Sequence, residues 1–347
     1  MKFKALRHAA RDSLAAASIN PKKLALLYAG VAVLASLVLT LADYLLGNAI
    51  ADTGGIMAMG NRATLRTVQA GFMIAGAVAL PLWNLGFIAA ALGISRRERV
   101  TSGTMLEGFR RFWPILRMYI LQLLIGLLVG ITCWQVGGIL FAFSPFSNRF
   151  LRLVLEVLGI TDPNQMMDLT DQQIITLMEN MTEAQSLSIA KSLIPMFVII
   201  GLLLLVLGLP LYYRFRMMPF AIMGDVPRAR KALLQVTRIL RGRKHRLFLL
   251  DLYFWWYHGA RLLLLPVAFG GMLLDALGIQ LPISLDAQVF LFYGIYLALE
   301  FAISFFFAPL VQTTYAHFYE DLRKNPPQPK YVFAAPPMPP QQETTDN

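Results

Sequence analysis

The chain has 347 residues, of which 57% are hydrophobic and only 15% are charged. A soluble domain has roughly 45–50% apolar and about 25% charged residues, so this composition excludes an ordinary soluble globular protein. It also excludes intrinsic disorder for most of the length. Lys and Arg outnumber Asp and Glu by 31 to 20, which gives a net charge of +11. The single cysteine, Cys133, excludes an internal disulfide and a Cys-based metal site.

Six segments have the run of about 20 apolar residues that a helix needs to cross a bilayer. They lie near residues 24–46, 68–93, 114–143, 193–213, 248–274 and 288–312. The predicted fold is therefore all-α: a polytopic six-transmembrane-helix bundle with cytoplasmic amphipathic helices and an outer helical segment at 144–192. This membrane domain covers residues 1–323. Seven prolines after Lys324 predict a disordered cytoplasmic tail at 324–347.

The distribution of Lys and Arg predicts how the six spans are oriented. Alternate connections carry 25 of the 31 basic residues: the N-terminal segment, the second-to-third connection with the start of the third span, the fourth-to-fifth connection, and the tail. The intervening connections hold five basic residues against nine acidic ones, six of which lie in the 144–192 segment. Because cytoplasmic loops carry the excess of Lys and Arg, we expect both termini in the cytoplasm. The expected location is a bacterial cell (inner) membrane, with multiple passes.

The connection before the fifth predicted span contains a basic amphipathic helix. Asp225 can cap its start and Gly242 can end it. Such a helix at the cytoplasmic surface predicts contact with anionic lipid head groups. The alternative is an ordinary cation-rich loop that only sets the topology. The residues expected to contact head groups are Arg228, Lys231, Arg238, Arg241, Arg243 and Lys244.

Ionisable residues inside predicted spans are costly and therefore indicate a polar site. Glu300 lies near the middle of the sixth span, and Arg261 near the middle of the fifth. At 100° per residue, Asp251, His258 and Arg261 fall within about 80° of one another, so the fifth span has one polar face. Because the two spans follow each other directly, we predict an Arg261–Glu300 ion pair. The pair either fixes helix register or forms a proton or substrate site in which Glu300 titrates.

Enzyme motifs are scarce. None of the zinc-protease, phosphate-loop, nucleophile-elbow or dinucleotide-binding patterns occurs in the sequence. We therefore expect no enzymatic activity, no cofactor, no metal and no nucleic-acid partner. An enzyme would require Asp251, His258 or His317 to converge with a second acidic residue around a cavity.

Three stretches resemble a family of uncharacterised bacterial integral membrane proteins, catalogued as domain of unknown function nine-seven-five. The first, residues 7–14, is similar to that family's opening basic helix. The second runs from Tyr213 through Asp225 and Gly242 to Trp256, a helix leaving the membrane, a basic helix and an aromatic span. The third, Ala308 to Leu322, resembles its last span. The resemblance implies a six-helix fold and no particular activity.

The sequence thus predicts a binding or scaffold protein of the bacterial cell envelope. Its partners would be membrane lipids with anionic head groups, and another membrane protein is a further candidate. The alternative is a transporter or lipid-translocating protein that uses a polar site around Glu300, Arg261 and His258.

Overall fold

The computed structural model describes residues 3–52, 58–157, 182–276, 279 and 281–326. All regular structure in these residues is helical, so the predicted all-α class is confirmed there. A 3₁₀-helix covers Ser102–Leu106. The α-helices are, in chain order, α1 (Phe3–Ala15), α2 (Pro21–Asp52), α3 (Ala58–Ser95), α4 (Glu107–Arg110), α5 (Phe112–Ala142), α6 (Pro145–Val157), α7 (Glu183–Ser192), α8 (Ile194–Gly224), α9 (Ala229–Ile239), α10 (Lys244–Tyr253), α11 (Trp255–Ala268), α12 (Gly270–Ala276) and α13 (Leu285–Lys324).

Five helical stretches in the described residues are long and apolar enough to cross a membrane. They coincide with the first, second, third, fourth and sixth predicted spans, and they indicate a membrane protein. Their bounds are Pro21–Ile50, Arg62–Ser95, Phe112–Ala142, Ala184–Gly224 and Ala287–Lys324.

The predicted count of six spans is not confirmed, because residues 248–274 do not form one helix. They are divided among α10, α11 and α12, which break at Phe254 and Phe269. Pro266 has no N–H for the last turn of α11, and Gly270 follows the second break, so the chain composition there favours an interruption. Phe254 is 1% exposed, and the first break places its ring in the protein core.

Two parts of the predicted architecture extend beyond the described residues. The outer segment 144–192 includes α6 and α7, whereas its central part, residues 158–181, lies outside the described residues. Of the predicted tail, residues 327–347 also lie outside them.

The chain divides into two compact units. The larger unit comprises Met1–Glu107 and Leu234–Asn347, and the smaller unit comprises Gly108–Leu233.

In the smaller unit, α5 packs along α8. Gly137 allows the close approach, since a Cβ there would lie 2.5 Å from Cγ1 of Ile200. The Arg111 guanidinium donates to the carbonyl oxygens of Ile222 and Met223, at 2.9 and 3.0 Å. It thereby satisfies carbonyls that the end of α8 leaves without helical partners. The opposite faces of α5 and α8 expose leucines, as lipid-facing helices do.

In the larger unit, the buried residues gather at one end, which we call the packed end. It is formed by α1, the start of α2, the end of α3, the 3₁₀-helix and the second half of α13. Its central cluster is Leu14, Ile19, Leu24, Tyr28, Phe87, Ala90, Ile94, Val100, Met105 and Ala308. Because the C-terminal ends of α3 and α13 meet there, these two helices run in the same direction, and α2 runs opposite to them.

Helix α13 has two halves with different surroundings. Its 40 residues span roughly 60 Å at 1.5 Å per residue, about twice the hydrocarbon thickness of a bilayer. In the first half, Leu291 and Leu299 are 50% and 42% exposed, whereas Phe318 and Tyr319 in the second half are fully buried. The first half therefore has the surface of a spanning helix, and the second half belongs to the packed end.

The N-terminal helix α1 is amphipathic. Its apolar residues Leu6, Ala10 and Leu14 are buried against the protein, because α1 packs on α13 and α3. The apolar face of α1 is therefore buried against the packed end.

Candidate functional site

The Arg261–Glu300 ion pair predicted from the sequence is present between α11 and α13. The guanidinium meets Glu300 through two nitrogens: Nη2 bonds Oε1, and Nε lies 3.4 Å from Oε2. The Ser304 hydroxyl accepts from Arg261 Nη2 at 3.3 Å and donates to Glu300 Oε1 at 3.1 Å. Two-point contact of this kind is the geometry that arginine and carboxylate favour. The serine closes the pair into a three-residue cluster.

Aromatic and polar side chains from other helices surround this cluster. The guanidinium carbon of Arg261 lies 5.4 Å from the centre of the Tyr257 ring, a cation–π distance. Tyr28 of α2 interacts electrostatically with Arg261, and its hydroxyl donates to Asn84 Oδ1 of α3 at 3.2 Å. The cluster therefore links four helices of the larger unit: α2, α3, α11 and α13.

Asp251 and His258 meet at a third residue, Tyr315 of α13. The Tyr315 hydroxyl donates to Asp251 Oδ1 at 2.5 Å and lies 3.2 Å from His258 Nε2. A hydroxyl has one proton, so when that proton points to Asp251 the bond to His258 needs a proton on Nε2. In this arrangement the His258 imidazole donates to the Tyr315 hydroxyl, which in turn donates to the Asp251 carboxylate.

The four predicted site residues thus form two clusters. Glu300 and Tyr315 are 15 residues apart on α13, which is roughly 22 Å along the helix axis. Arg261 and Glu300 lie in the half with exposed apolar side chains, and Asp251 and His258 lie beside the packed end. The prediction of one polar face assumed one continuous helix. The break at Phe254 instead places Asp251 on α10, whereas His258 and Arg261 lie on α11.

A second ion-pair group at the packed end was not predicted. Nε and Nη2 of Arg96 lie 2.8 and 2.7 Å from Oε1 of Glu320, a carboxylate that is 6% exposed. Arg323 reaches Oε2 of the same carboxylate at 3.2 Å. The Glu320–Arg323 spacing is visible in the sequence, but Arg96 is 224 residues away and no local pattern indicates it.

The predicted head-group contacts run from Arg228, just before α9, through α9 and the turn after it to Lys244, the first residue of α10. Helix α9 buries Ala229, Ala232 and Val236 on one face, and its cations project from the other. Gly242 follows with φ of 71°, the left-handed conformation that favours glycine where a helix stops. Arg243 donates to the carbonyl oxygen of Asn325. Arg228, Lys231, Arg238 and Arg241 are exposed, whereas Arg243 and Lys244 are half-buried.

One apolar residue interrupts the charged face of α9. Leu234 is 61% exposed, and it lies one helical turn from Arg230, Lys231 and Arg238. Residues three or four apart on a helix are surface neighbours, so the three cations surround this leucine. Leu234 was not predicted from the sequence, although its spacing from the cations could have indicated it.

Among the described residues, no group of three or more His, Cys, Asp or Glu side chains could hold a metal ion.

Comparison with known proteins gives a family but no characterised relative. No curated protein and no solved structure matches the chain significantly. The family model described as "Protein of unknown function (DUF975)" matches residues 1–326, nearly the whole chain, and confirms the resemblance found in the sequence. The chain therefore belongs to this family of uncharacterised proteins.

Proposed function

We propose that the protein is a non-enzymatic, six-span protein of the bacterial inner membrane, and that α9 holds anionic lipid head groups at the cytoplasmic surface. The exposed Leu234 within its ring of cations carries this proposal. In water the leucine leaves apolar area unburied. At a membrane interface the same side chain enters the acyl boundary while the surrounding cations meet phosphates. Such contact suits a binding or scaffold role in the cell envelope.

The packed end supports the orientation. It collects Lys22 and Lys23 at the start of α2, Arg96 and Arg97 after α3, and the basic residues at the end of α13. Cationic ends of several helices at one end of a unit are the three-dimensional form of the positive-inside pattern. We therefore assign the packed end, and both termini, to the cytoplasm.

The direction of α13 supports six crossings. Because α3 and α13 run in the same direction, an odd number of crossings must separate them if both span the membrane. Helices α5 and α8 supply two of these crossings. The segment from α10 to α12 then supplies the third, as a span broken at Phe254 and Phe269. Broken spans occur where neighbouring protein satisfies the freed backbone groups.

Electrostatics outweighs apolar burial in this proposal. Near an anionic membrane surface each Lys or Arg contributes about 1 kcal/mol. The charged face of α9 and the residues directly before and after the helix carry five exposed cations: Arg228, Arg230, Lys231, Arg238 and Arg241. Burying one leucine contributes about 1.5–3 kcal/mol at most. Retention of lipid by α9 should therefore depend on anionic head groups and weaken with salt, since salt screens exposed charges.

Neutralising the two cations that flank Leu234 tests the proposal. We expect Lys231→Gln with Arg238→Gln to lower the anionic lipid that co-purifies with the full-length protein, because the pair contributes about 2 kcal/mol of attraction. Mass spectrometry of the retained lipids gives the measurement. The matched control is Arg62→Gln with Arg66→Gln, the same change of charge at exposed residues at the start of α3, away from the packed end. Equal retention by wild type and both double variants would refute the lipid-binding role of α9.

A transporter or lipid-translocating protein is the second candidate. The polar clusters on α11 and α13, with Arg261 and Glu300 at spanning depth, favour it. The contacts of Glu300 count against it, because Arg261 and Ser304 together occupy both carboxylate oxygens. A closed pair of this kind serves helix register rather than binding a passing solute.

A further inference from the structure

The packed end contains a cleft that the proposed role of α9 does not use. It has a volume of about 230 Å³ and lies between the end of α1 and the turn that follows α3. Ser18 holds these segments together, since its hydroxyl donates to the carbonyl oxygen of Val100 and accepts from the Val100 N–H, both at 2.8 Å. The lining includes Ser13, Ala16, Arg97, Glu98 and Arg99.

Arg97 has a conformation that arginine rarely adopts. Its φ is 59°, and among the described residues it is the one non-glycine with a positive φ. Arg97 occupies the position after the end of α3 at which glycine is most common. The Arg97 N–H donates to the carbonyl oxygen of Ile94, and the Glu98 N–H donates to the carbonyl oxygen of Gly93. Left-handed backbone costs roughly 1–2 kcal/mol for a residue with a side chain. Arginine at this position projects a guanidinium at the cleft that glycine would not supply.

The two arginines of the cleft have their donors available. Within the described part of the chain, neither the Arg97 nor the Arg99 side chain forms a hydrogen bond or ion pair. They do not serve as caps, because the nearby helix-end carbonyls have other donors. At the end of α3, the carbonyl oxygens of Gly93 and Ile94 accept from N–H groups of the following turn. At the end of α1, the carbonyl oxygens of Asp12 and Leu14 accept from the N–H groups of Ala16 and Ala17.

The charge and the size of the cleft suit a phosphate group. The lining contains two arginines, Arg97 and Arg99, and one acidic residue, Glu98. The Glu98 carboxylate lies 4.0 Å from Arg96, and its side chain is 61% exposed. Planar guanidinium forks match tetrahedral phosphate oxygens by paired hydrogen bonds. Ser13, which lies 3.1 Å from His317 Nε2, adds a hydroxyl to the wall. A phosphate has roughly the bulk of two or three waters, at about 30 Å³ each, so the cleft holds one with part of an attached group.

We propose that the cleft between α1 and α3 binds a phosphate group through Arg97 and Arg99, supplied either by a lipid head group or by a soluble phosphate. The site shares no residue with α9, so it stands or falls separately from the proposed function.

Two probes distinguish the sources: inorganic phosphate alone, and a short-chain phosphatidic acid that is soluble as a monomer. Binding of each to the full-length protein in detergent is measured by calorimetry. We expect saturable binding. Similar affinity for both probes assigns the site to soluble phosphate, and at least tenfold tighter binding of the lipid assigns it to a head group.

Four variants test the residues. Arg97→Gln with Arg99→Gln should weaken binding at least about tenfold, because two charge-assisted contacts are lost. Ala16→Phe should abolish binding by filling the cleft without changing charge. Glu98→Gln should strengthen binding severalfold, since it removes the one carboxylate of the lining. Arg62→Gln with Arg66→Gln, the matched change of charge at the start of α3, should leave binding within about twofold.

Melting temperatures of the four variants separate loss of binding from loss of folding. The Arg97/Arg99 variant should melt within a few degrees of wild type and keep the lipid that α9 retains. The proposal is overturned if neither probe binds saturably, or if the folded Arg97/Arg99 variant binds as wild type does. It is equally overturned if the Arg62/Arg66 variant loses as much binding as the cleft variant.

Discussion

Arg261→Met and Glu300→Gln should each destabilise the detergent-solubilised protein, and the double variant should recover most of the loss. Each single change leaves the other member of the pair without its partner between α11 and α13. Breaking a fully buried pair costs about 3–5 kcal/mol, and these side chains are 36% and 22% exposed, so we expect about 1–3 kcal/mol for each. Melting temperatures of the four proteins give the coupling energy.

The double-mutant cycle also decides between the two candidate functions. Recovery in the double variant assigns the pair to helix register and favours the scaffold. The contrary result is Glu300→Gln that is neutral or stabilising alone, which would make Glu300 a charge held at an energetic cost. Transport would then become the leading candidate, and proton-coupled flux the next assay. Arg62→Gln serves as the control, because it removes one exposed cation remote from both clusters.

Gly86→Ala should be the most destabilising single change in the larger unit. A Cβ at Gly86 would lie 1.8 Å from the carbonyl oxygen of Met105 and 2.6 Å from its carbonyl carbon. These are backbone atoms of the 3₁₀-helix, so no side-chain rotation relieves the clash, and Met105 is fully buried. We expect a loss of about 3 kcal/mol, the upper part of the range for overpacked cores, or failure to accumulate in cells.

Gly30→Ala is the matched control for Gly86→Ala. Gly30 lies inside α2 of the same unit, and a Cβ there meets no atom within 4 Å. Alanine in an open helix interior is better than glycine by about 0.5–1 kcal/mol, so the control should raise the melting temperature slightly. If the two variants behave alike, the close approach of α3 to the 3₁₀-helix does not contribute to stability.

The spans that the sequence predicted well are those in which composition alone decides. Residues 24–46 and 114–143 are predominantly apolar, and long helices cover both. Residues 248–274 are equally rich in hydrophobic side chains, yet the helix breaks at Phe254 and Phe269. A count of apolar residues contains no information about backbone dihedral angles. The break at Phe254 buries the ring of that residue in the tertiary core.

The polar contacts divide in the same way. The Arg261–Glu300 pair was predictable because charges inside apolar runs are rare and the two spans adjoin in the chain. The contacts of Tyr315 with Asp251 and His258 were not predictable, since a tyrosine near a helix end can have many structural roles. The Arg96–Glu320 pair and the cleft at Arg97 depend on the end of α3 meeting the end of α13, a long-range arrangement that local periodicity does not encode.

The position of Leu234 relative to the membrane tests the central claim most directly. Cys133 is the single cysteine, so Leu234→Cys in a Cys133→Ala background accepts one environment-sensitive fluorophore. In nanodiscs with anionic lipid, we predict blue-shifted emission that shallow spin-labelled lipids quench, because α9 lies in the interface. Adding Lys231→Gln and Arg238→Gln should return the fluorophore to water. Red-shifted, unquenched emission from the labelled protein in both anionic and zwitterionic nanodiscs would contradict the account, since α9 would then face water whatever the lipid.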